Sequence, residues 1–598
     1  MCGIFGYVGA REQAPQLVLA GLKKLEYRGY DSWGIAARDS ESIRLLVEKH
    51  VGKIGQAATS LPASRLALGH TRWATHGGVT EANAHPHLDC QGRLAVIHNG
   101  IVENHAELRR ELLRNGHTFK SQTDTEVVCH LLEEELTRED ASADGCERLV
   151  QAVMTVFRRL DGLSAIGVLD PRLECIAAAK NGSPLVLGWG EDGNYLASDS
   201  SALLEHTRKL TFLDDGQAAL VTGGGLSVYD VTTGELLQEP RVWDITWEQE
   251  ADSLEGYPNY MAKEIAEQPG VLRRLAAEQV EAAQRLAESI QRATTVHLVG
   301  CGSAAHAARC GEYLFSRLAS RQANCVVGSE FGYLADFLDE RSLVVGLSQS
   351  GETIDLLDSM KSARRRGARL AALVNVEGSS LYRLVDEAIL LSAGPERCVL
   401  ATKSFTAKLG ILLMAAYAAR GRLHAGRELV EQAADEIEAL LNDERVEQIR
   451  LLAQRIARAE HLYVIGRGPS YPMALEAALK IKEVSYMHAE GFAGGELKHG
   501  VIALIDSGTP CVVLAPNDET FRAILSGAEE IKARGGYIIG ISPFASEVWD
   551  EHISVADVGE AASIVNAVPP QLLAYHIALS RGLDPDKPRN LAKSVTVK

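Results

Sequence analysis

The sequence has no long apolar run and no excess of basic residues. No stretch of 18 consecutive apolar residues occurs, which excludes a membrane-spanning helix. The first residues also lack the basic and apolar segments of a signal peptide. A net charge of −18 argues against nucleic acid or an anionic membrane as a partner. A phosphorylated ligand would therefore need a local cluster of hydrogen-bond donors.

Cysteine is scarce and not arranged in pairs. Ten cysteines in 598 residues do not form a disulfide framework, so we expect a reducing, cytoplasmic environment. No Cys-x-x-Cys or His-Glu-x-x-His pattern occurs, and His85 and His87 lack a third ligand at suitable spacing. The sequence therefore predicts no metal site. The chain length predicts roughly three to four domains.

Residues 1–240 contain many short predicted strands and few helices. Strands are predicted at residues 4–8, 93–98 and 165–169, and helices at 107–115 and 124–135. This pattern favours stacked antiparallel sheets covered by helices, an α+β fold.

Cys2 is the first candidate for chemistry. If Met1 is removed, the thiol and a free α-amine belong to one residue. That amine has a pKa of about 7.7–8.0, which suits a general base near neutral pH. Because most cysteines at the second position are inert, this interpretation depends on the residues around it.

Three further stretches offer groups that such a nucleophile needs. Arg72 has a planar guanidinium suited to a carboxylate, although a structural ion pair is the simpler interpretation. Asn99 and Gly100 could donate two hydrogen bonds to an oxyanion, or form a common turn. Asp124 could bind an ammonium group or cap the following helix.

Together these stretches resemble the glutamine amidotransferase domain of the N-terminal-nucleophile hydrolases. The resemblance rests on residues 1–6, 27–32, 72–77, 83–87, 98–100 and 124–126. It implies that Cys2 attacks the side-chain amide of glutamine, that a thioester forms, and that Asn99 and Gly100 stabilise the oxyanion. It also implies glutamine-binding roles for Arg72, Thr75, His76 and Asp124, and an ammonia gate at Trp73.

An internal repeat occupies the second half of the chain. After an irregular stretch at 241–258, long amphipathic helices are predicted at 261–267 and 271–292. Predicted strands then end at Gly300 and Gly466, 166 positions apart, each followed by a Gly-x-Gly turn and a helix. This period predicts two duplicated α/β units with parallel sheets. The expected divisions are 1–240, a linker with a leading helix at 241–285, the units 286–430 and 431–588, and a tail at 589–598.

The turn at 348–353 carries three hydroxyl side chains before a predicted helix, which favours a phosphate site. Its counterpart at 516–518 is acidic and lacks serine, so we expect only the first unit to bind phosphate. The Gly-x-Gly-x-x-Ala turn at 300–305, with Glu330 further along, leaves a dinucleotide site as a rival hypothesis.

Two lysines are candidates for sugar chemistry. Lys480 shares a helix face with Glu483, although such pairs are usually solvated surface. Both precede a glycine-rich loop that carries His499. Lys593, in a tail that alternates polar and apolar residues, could form a Schiff base with a ketose.

This half resembles the tandem sugar-isomerase (SIS) fold, and the whole chain resembles the isomerising sugar-phosphate aminotransferases. The resemblance implies glutamine-dependent amination and isomerisation of fructose 6-phosphate to glucosamine 6-phosphate, with internal transfer of ammonia. It implies no metal, nucleotide or pyridoxal cofactor. The implied sugar-phosphate ligands are Ser303, Ser348, Gln349, Ser350 and Thr353.

The resemblance also implies roles in the sugar reaction. Lys593 would engage the C2 carbonyl, and Glu483, assisted by Lys480, would move a proton between C1 and C2. His499 would assist ring opening from the neighbouring subunit of a homodimer.

Some residues depart from the family pattern. Ala304 and Ala401 replace hydroxyl residues near the sugar, which leaves open a paralogue acting on a related keto-sugar phosphate. A phosphoribosyl amidotransferase or a synthetase would share the Cys2 domain, but no Ser-Gly-Gly-x-Asp-Ser run is present. A non-enzymatic sugar-phosphate-sensing regulator would leave Cys2, Arg72 and Asn99 without a role.

Overall fold

The computed structural model describes residues 2–137, 145–245 and 253–596. Met1, whose removal the nucleophile hypothesis requires, lies outside these ranges, as do residues 246–252 of the expected linker. The chain divides into one unit of Met1–Gln249 with Ser594–Lys598 and a second unit of Glu250–Lys593. No helix among the described residues is long and apolar enough to cross a membrane.

Two antiparallel sheets form the centre of the first unit. The eight-stranded sheet has the order β14-β11-β9-β10-β1-β4-β2-β3, and the six-stranded sheet the order β13-β12-β8-β7-β6-β5. Their strands are β1 (Gly3–Gly9), β2 (Ser32–Arg38), β3 (Leu45–Val51), β4 (Leu66–Arg72), β5 (His87–Leu88), β6 (Ala95–Gly100), β7 (Ser164–Leu169), β8 (Cys175–Asn181), β9 (Val186–Trp189), β10 (Gly193–Ala197), β11 (Lys209–Phe212), β12 (Gln217–Thr222), β13 (Gly225–Asp230) and β14 (Trp243–Asp244).

Helices cover both outer faces of this pair of sheets. They are α1 (Ala14–Lys24), α2 (His105–Arg114), α3 (Glu126–Thr137) and α4 (Gly145–Phe157). Ile4 and Leu68 of one sheet pack against Ile97 of the other between the sheets. Helix α1 packs on the eight-stranded sheet, and α3 and α4 pack on the six-stranded one. The predicted stacked sheets covered by helices are confirmed.

Three helices open the second unit: α5 (Tyr260–Ala266), α6 (Gln268–Glu278) and α7 (Val280–Arg292). The expected single helix at 271–292 is wrong, because the chain leaves helical geometry at Gln279 (φ −102°, ψ 19°). The side-chain amide of Gln279 donates to Ser392 Oγ over 3.0 Å. Buried residues such as Leu275 and Leu286 keep one helical period across the break, so the sequence pattern does not show it.

Two parallel five-stranded sheets follow. Their strands are β15 (Thr295–Gly300), β16 (Asn324–Val327), β17 (Ser342–Ser348), β18 (Arg369–Val374), β19 (Glu387–Leu390), β20 (His461–Gly466), β21 (His488–Ala493), β22 (Pro510–Leu514), β23 (Tyr537–Ser542) and β24 (Glu551–Ser554). The orders β16-β15-β17-β18-β19 and β21-β20-β22-β23-β24 are equivalent. This equivalence confirms the predicted duplication of an α/β unit.

The remaining helices flank and join the two sheets. They are α8 (Ser303–Ala319), α9 (Gly328–Phe331), α10 (Ile354–Arg365), α11 (Ser380–Leu384), α12 (Lys403–Ala418), α13 (Leu423–Leu440), α14 (Asp443–Ile456), α15 (Ser470–Ser485), α16 (Phe521–Lys532), α17 (Ala562–Val565) and α18 (Val568–Ser580). One apolar core contains residues of both repeats, such as Leu298 and Val464, together with buried α12. The two repeats therefore share a core.

Candidate active site

Cys2 lies at the start of β1, beside the end of β4. Because Gly3 pairs with Thr71 in antiparallel register, Cys2 comes opposite Arg72 and adjacent to Trp73. The Trp73 backbone N–H donates to Cys2 Sγ over 3.3 Å. Burial raises the pKa of the Cys2 thiol, so the thiol needs a base to become a nucleophile at neutral pH.

Asn99 reaches the same residue from the other sheet. Its Nδ2 donates to the Cys2 carbonyl oxygen over 3.1 Å, and Arg28 Nε donates to that oxygen over 3.2 Å. Arg28 is itself held by Asp199 at 3.1 Å. The sequence gives no sign of a role for Arg28 or Asp199, because a pair of residues 171 positions apart leaves no local pattern.

Asn99 and Gly100 form part of a strand, so the turn interpretation is wrong. They pair with Ala165 and Ser164 of β7. Gly100 has φ +134°, and a Cβ atom there would lie 1.9 Å from the Leu163 carbonyl oxygen. Only glycine fits this position, so the backbone next to Asn99 is held in one conformation.

Arg72 organises the loop that follows β4. Its guanidinium donates to the carbonyl oxygens of His76, Gly77 and Gly78 at 2.5, 3.4 and 3.2 Å. Arg72 thus binds backbone carbonyl oxygens and, among the described residues, does not form the structural ion pair that was the simpler interpretation. They fix the loop that presents Thr75 and His76.

Asp124 faces the same loop. Its Oδ2 accepts from the Val102 backbone N–H over 2.8 Å, and its Oδ1 lies 3.8 Å from His76 Nδ1. Both Asp124 and Arg72 act electrostatically on the Cys2 thiol. Two of the candidate glutamine-binding residues, Arg72 and Asp124, therefore lie near the candidate nucleophile.

Trp73 contacts the thiol through its backbone, while its ring packs edge-on against Tyr30 with centroids 5.6 Å apart. The candidate gate therefore adjoins Cys2.

In the second unit, the turn at 348–353 connects β17 to α10. Ser348 Oγ accepts from the Gly351 N–H over 2.9 Å, and Ser350 Oγ accepts from the Glu352 N–H over 3.2 Å. Thr353 Oγ1 lies 3.5 Å from Ser348 Oγ. The Ser350 bond closes the turn two residues before α10 begins, so it does not cap the helix. Backbone and hydroxyl groups are thus grouped at a helix N-terminus, with Gln349 partly exposed among them.

Lys480 on α15 joins the two repeats. Its Nζ lies 2.7 Å from Glu483 Oε2 and 3.4 Å from Glu476 Oε1, and it donates to Ser303 Oγ of α8 over 3.0 Å. The Lys480 side chain is 1% exposed, so the solvated-surface interpretation is wrong. Burial by itself lowers the pKa of Lys480, but the two carboxylates more than offset it and raise that pKa. Glu476, which also binds His306 at 2.8 Å, was not identified from the sequence.

Lys593 is buried against Glu396. Its Nζ donates to Glu396 Oε2 over 2.6 Å and to the Leu400 carbonyl oxygen over 3.3 Å. Against the effect of burial, Lys593 lowers the pKa of Glu396 to about 2. The charges of Lys593 and Glu396 and those of Lys480 and Glu476 all act on buried Lys408. The Lys593 and Lys480 clusters therefore adjoin.

His499 stands apart from these groups. It ends the short 3-10 helix Gly494–His499 and is exposed. Within the described part of the chain, no hydrogen bond or ion pair joins it to Lys480, Glu483 or Lys593. Among the described residues of one chain, His499 thus makes no polar contact with the cluster.

The matches to known protein families fall in the same two parts of the chain. Residues 70–205 match the glutamine amidotransferase domain family, and residues 289–418 and 455–581 match the SIS domain family. Cys2 precedes the matched range. The fold and site thus define an amidotransferase combined with two sugar-isomerase domains.

Relatives match over the full length. The chain is 43% identical to "Glutamine--fructose-6-phosphate aminotransferase [isomerizing]" of Thermococcus kodakarensis and 42% identical to that of Thermus thermophilus, covering 100% of each chain. The chain belongs to the glutamine--fructose-6-phosphate aminotransferase (isomerizing) family. The structure of the C-terminal domain of glucosamine-fructose-6-phosphate aminotransferase from Francisella tularensis matches 56% of this chain and 100% of its own, with a TM-score of 0.53 and 31% identity.

Proposed function

We propose that the protein transfers the amide nitrogen of L-glutamine to fructose 6-phosphate and isomerises the product to glucosamine 6-phosphate. Glutamate is the second product. The observation that supports this most is the presence in one chain of the Cys2 site and the buried Lys480 cluster. Relatives that carry this activity in their names match the chain from end to end.

The first half-reaction releases ammonia. The α-amine of Cys2, freed by removal of Met1, takes the thiol proton, and Sγ attacks the side-chain carbonyl carbon of glutamine. Asn99 Nδ2 and the Gly100 N–H stabilise the oxyanion. The C–N bond breaks, ammonia leaves with the proton, and water hydrolyses the thioester to glutamate.

Opposite charges around Cys2 suit the two charged ends of glutamine. Arg72 offers donors to the α-carboxylate and Asp124 accepts from the α-ammonium, with Thr75 and His76 on the intervening loop. Trp73 gates the ammonia, which passes internally to the sugar.

The second half-reaction begins with binding and ring opening of the sugar. Phosphate binds to the hydroxyl and amide groups of Ser303, Ser348, Gln349, Ser350 and Thr353. His499 of a second copy in a homodimer assists ring opening, which agrees with its exposure. At the equivalent position the second repeat has the acidic segment 516–518, which lacks serine, so we assign the phosphate site to the first repeat.

Amination then occurs at C2. An ammonium group paired with a carboxylate is not nucleophilic, so Lys593 leaves Glu396 and loses a proton before it forms an imine with loss of water. Ammonia adds at C2 and displaces Lys593. Glu483, held by Lys480, removes a proton from C1 and delivers a proton to C2.

Two further assignments belong to this proposal. A catalytic thiol requires reducing conditions, which supports a cytoplasmic location. The domain divisions at residues 240, 285, 430 and 588 stay a prediction; those at 285 and 430 fall within helices α7 and α13.

The test traces the amide nitrogen of glutamine into the sugar product. Protein is incubated with fructose 6-phosphate and glutamine labelled with ¹⁵N in the amide, and glucosamine 6-phosphate is analysed by mass spectrometry. We expect labelled product, and no labelled product from Cys2→Ala. That variant should still interconvert fructose 6-phosphate and glucose 6-phosphate, because the sugar site is intact.

Cys146→Ser, on α4, serves as the matched control and should retain both activities. Full glutamine-dependent synthesis by Cys2→Ala would contradict the proposed nucleophile. Absence of labelled glucosamine 6-phosphate from the unchanged protein, with label in another amino sugar phosphate when other keto-sugar phosphates are supplied, would redirect the substrate assignment.

A further inference from the structure

Four side chains of the first unit converge at a place that the proposed reaction does not use. Cys90, His117, His130 and Glu133 each offer one ligand atom, and these atoms lie within 4.8 Å of one another. Cys90 follows β5, His117 follows α2, and the other two lie on α3. His130 and Glu133 are buried, and the other two are partly buried. Three separate segments thus meet at one point.

The distances match the corners of a metal tetrahedron. Cys90 Sγ lies 3.4 Å from His117 Nδ1 and 3.5 Å from His130 Nδ1. Glu133 Oε2 lies 3.2 Å and 3.6 Å from the same two nitrogens. Zinc bonds of about 2.3 Å to sulfur and about 2.0–2.2 Å to nitrogen or oxygen set these ligand pairs ~3.6 Å and ~3.3 Å apart.

The outer nitrogen of each histidine faces a carboxylate. His117 Nε2 lies 3.3 Å from Glu134 Oε1, and His130 Nε2 lies 3.7 Å from Glu126 Oε1. Carboxylates in this position orient metal-binding imidazoles through the second ring nitrogen. Such an arrangement aims both Nδ1 lone pairs at the common centre.

Hydrogen bonds satisfy this centre only in part: Glu133 Oε2 accepts from the Cys90 backbone N–H over 3.1 Å, but the side-chain ligand atoms are mostly acceptors. With the imidazole N–H groups directed at Glu134 and Glu126, both Nδ1 atoms are acceptors, and an ionised Glu133 only accepts. The Cys90 thiol then brings one proton to a group of acceptors. A cation at the centre removes this imbalance.

We propose that Cys90, His117, His130 and Glu133 bind a structural zinc ion. Four protein ligands complete the tetrahedron and leave no position for a substrate. A thiolate with two imidazoles selects zinc over magnesium or calcium. Cys90 binds as the thiolate, and its proton passes to solvent.

The ion connects elements that carry the glutamine-site candidates. Helix α3 begins just after Asp124, and β5 pairs with β6, which ends in Asn99 and Gly100. The zinc ion therefore links helix α3, which follows Asp124, to the strand pair that carries Asn99 and Gly100. The assignment itself rests on the ligand geometry, independently of the proposed reaction.

The test measures the metal in the full-length protein. Protein produced with added zinc, kept reduced and dialysed, is analysed by inductively coupled plasma mass spectrometry. We expect about one zinc ion per chain, and about tenfold less in Cys90→Ser. Cys146→Ser, in the same unit but outside the cluster, should keep its zinc.

Cobalt and chelation give a second readout. Protein stripped of zinc and reloaded with Co²⁺ should show the visible bands of tetrahedral cobalt and a thiolate charge-transfer band, both absent in Cys90→Ser. A chelator should lower the Tm of the unchanged protein but not of the variant. If Cys90→Ser does not fold, His117→Gln replaces it. Zinc-free protein without tetrahedral cobalt bands, or unchanged zinc content in the variants, would overturn the proposal.

Discussion

At the scale of single residues, Asn99 is the oxyanion candidate that contacts Cys2 directly. Its amide lies 3.1 Å from the Cys2 carbonyl oxygen, and it belongs to a strand paired with β7. A donor held in a sheet needs little rearrangement when charge develops on the substrate, and such preorganisation is what makes oxyanion stabilisation effective.

Asn99→Ala should therefore lower kcat for glutamine hydrolysis by about 100- to 1,000-fold. The KM for glutamine should change much less, since the hydrogen bond from Asn99 to the substrate oxygen strengthens only in the transition state. Steady-state glutamate release measures both. Asn181→Ala, exposed at the end of β8 in the same sheet, should leave kcat unaltered. An unaltered kcat in Asn99→Ala would contradict the oxyanion role.

At the scale of elements, the turn between β17 and α10 depends on Gly351. Gly351 has φ +69°, and a Cβ atom there would lie 2.0 Å from Ser379 Oγ and 2.6 Å from Ser379 Cβ. The Gly351 N–H also donates to Ser348 Oγ. Any side chain at this position therefore disturbs the candidate phosphate-binding turn.

Gly351→Ala should raise the KM for fructose 6-phosphate at least about tenfold, because the alanine is strained at positive φ and displaces the turn. Glutamine hydrolysis measured without sugar should persist. The control is Gly270→Ala in α6, where a Cβ meets nothing within 4 Å; it should be neutral or stabilising by about 1 kcal/mol. A normal KM in Gly351→Ala would argue against this turn as the phosphate site.

At the scale of the whole molecule, buried charges of the second unit make stability depend on pH. Glu264 accepts from the Cys398 N–H over 3.1 Å and shares its surroundings with Glu396, Lys593 and Lys403. Burial, followed by the charge of Glu396, raises the pKa of Glu264 from 4.5 to about 8. The folded protein therefore holds this proton at neutral pH.

Between pH 4.5 and about 8, the unfolded chain releases the Glu264 proton while the folded protein keeps it. Stability from this group therefore declines as pH rises through that range. Glu264→Gln keeps an oxygen for the backbone donors and removes the decline. Its Tm relative to the unchanged protein should rise from about pH 5 to about pH 8.

Thermal unfolding across this range measures the difference in Tm. Glu444→Gln, an exposed change at the first turn of α14, accounts for the loss of one negative charge. A Tm difference that stays constant or falls with pH would contradict a buried, protonated Glu264.

Local patterns in the sequence determined the architecture and part of the site. Short apolar strands predicted the stacked sheets, and the similar strand–turn–helix segments at Gly300 and Gly466, 166 positions apart, predicted the duplicated parallel units. Helical spacing placed Lys480 and Glu483 on one face. These features could be predicted because backbone preferences and apolar periodicity depend on residues close together in the chain.

Tertiary structure decided the contacts between distant residues. It paired Lys593 with Glu396, placed Asn99 in a strand rather than a turn, and gathered the zinc ligands around Cys90. The predicted helix is also interrupted at Gln279, where the apolar period continues and the sequence shows no sign of a break. Which distant side chains meet depends on how the elements pack. Packing results from all the interactions of the chain together, so no local pattern in the sequence reveals it.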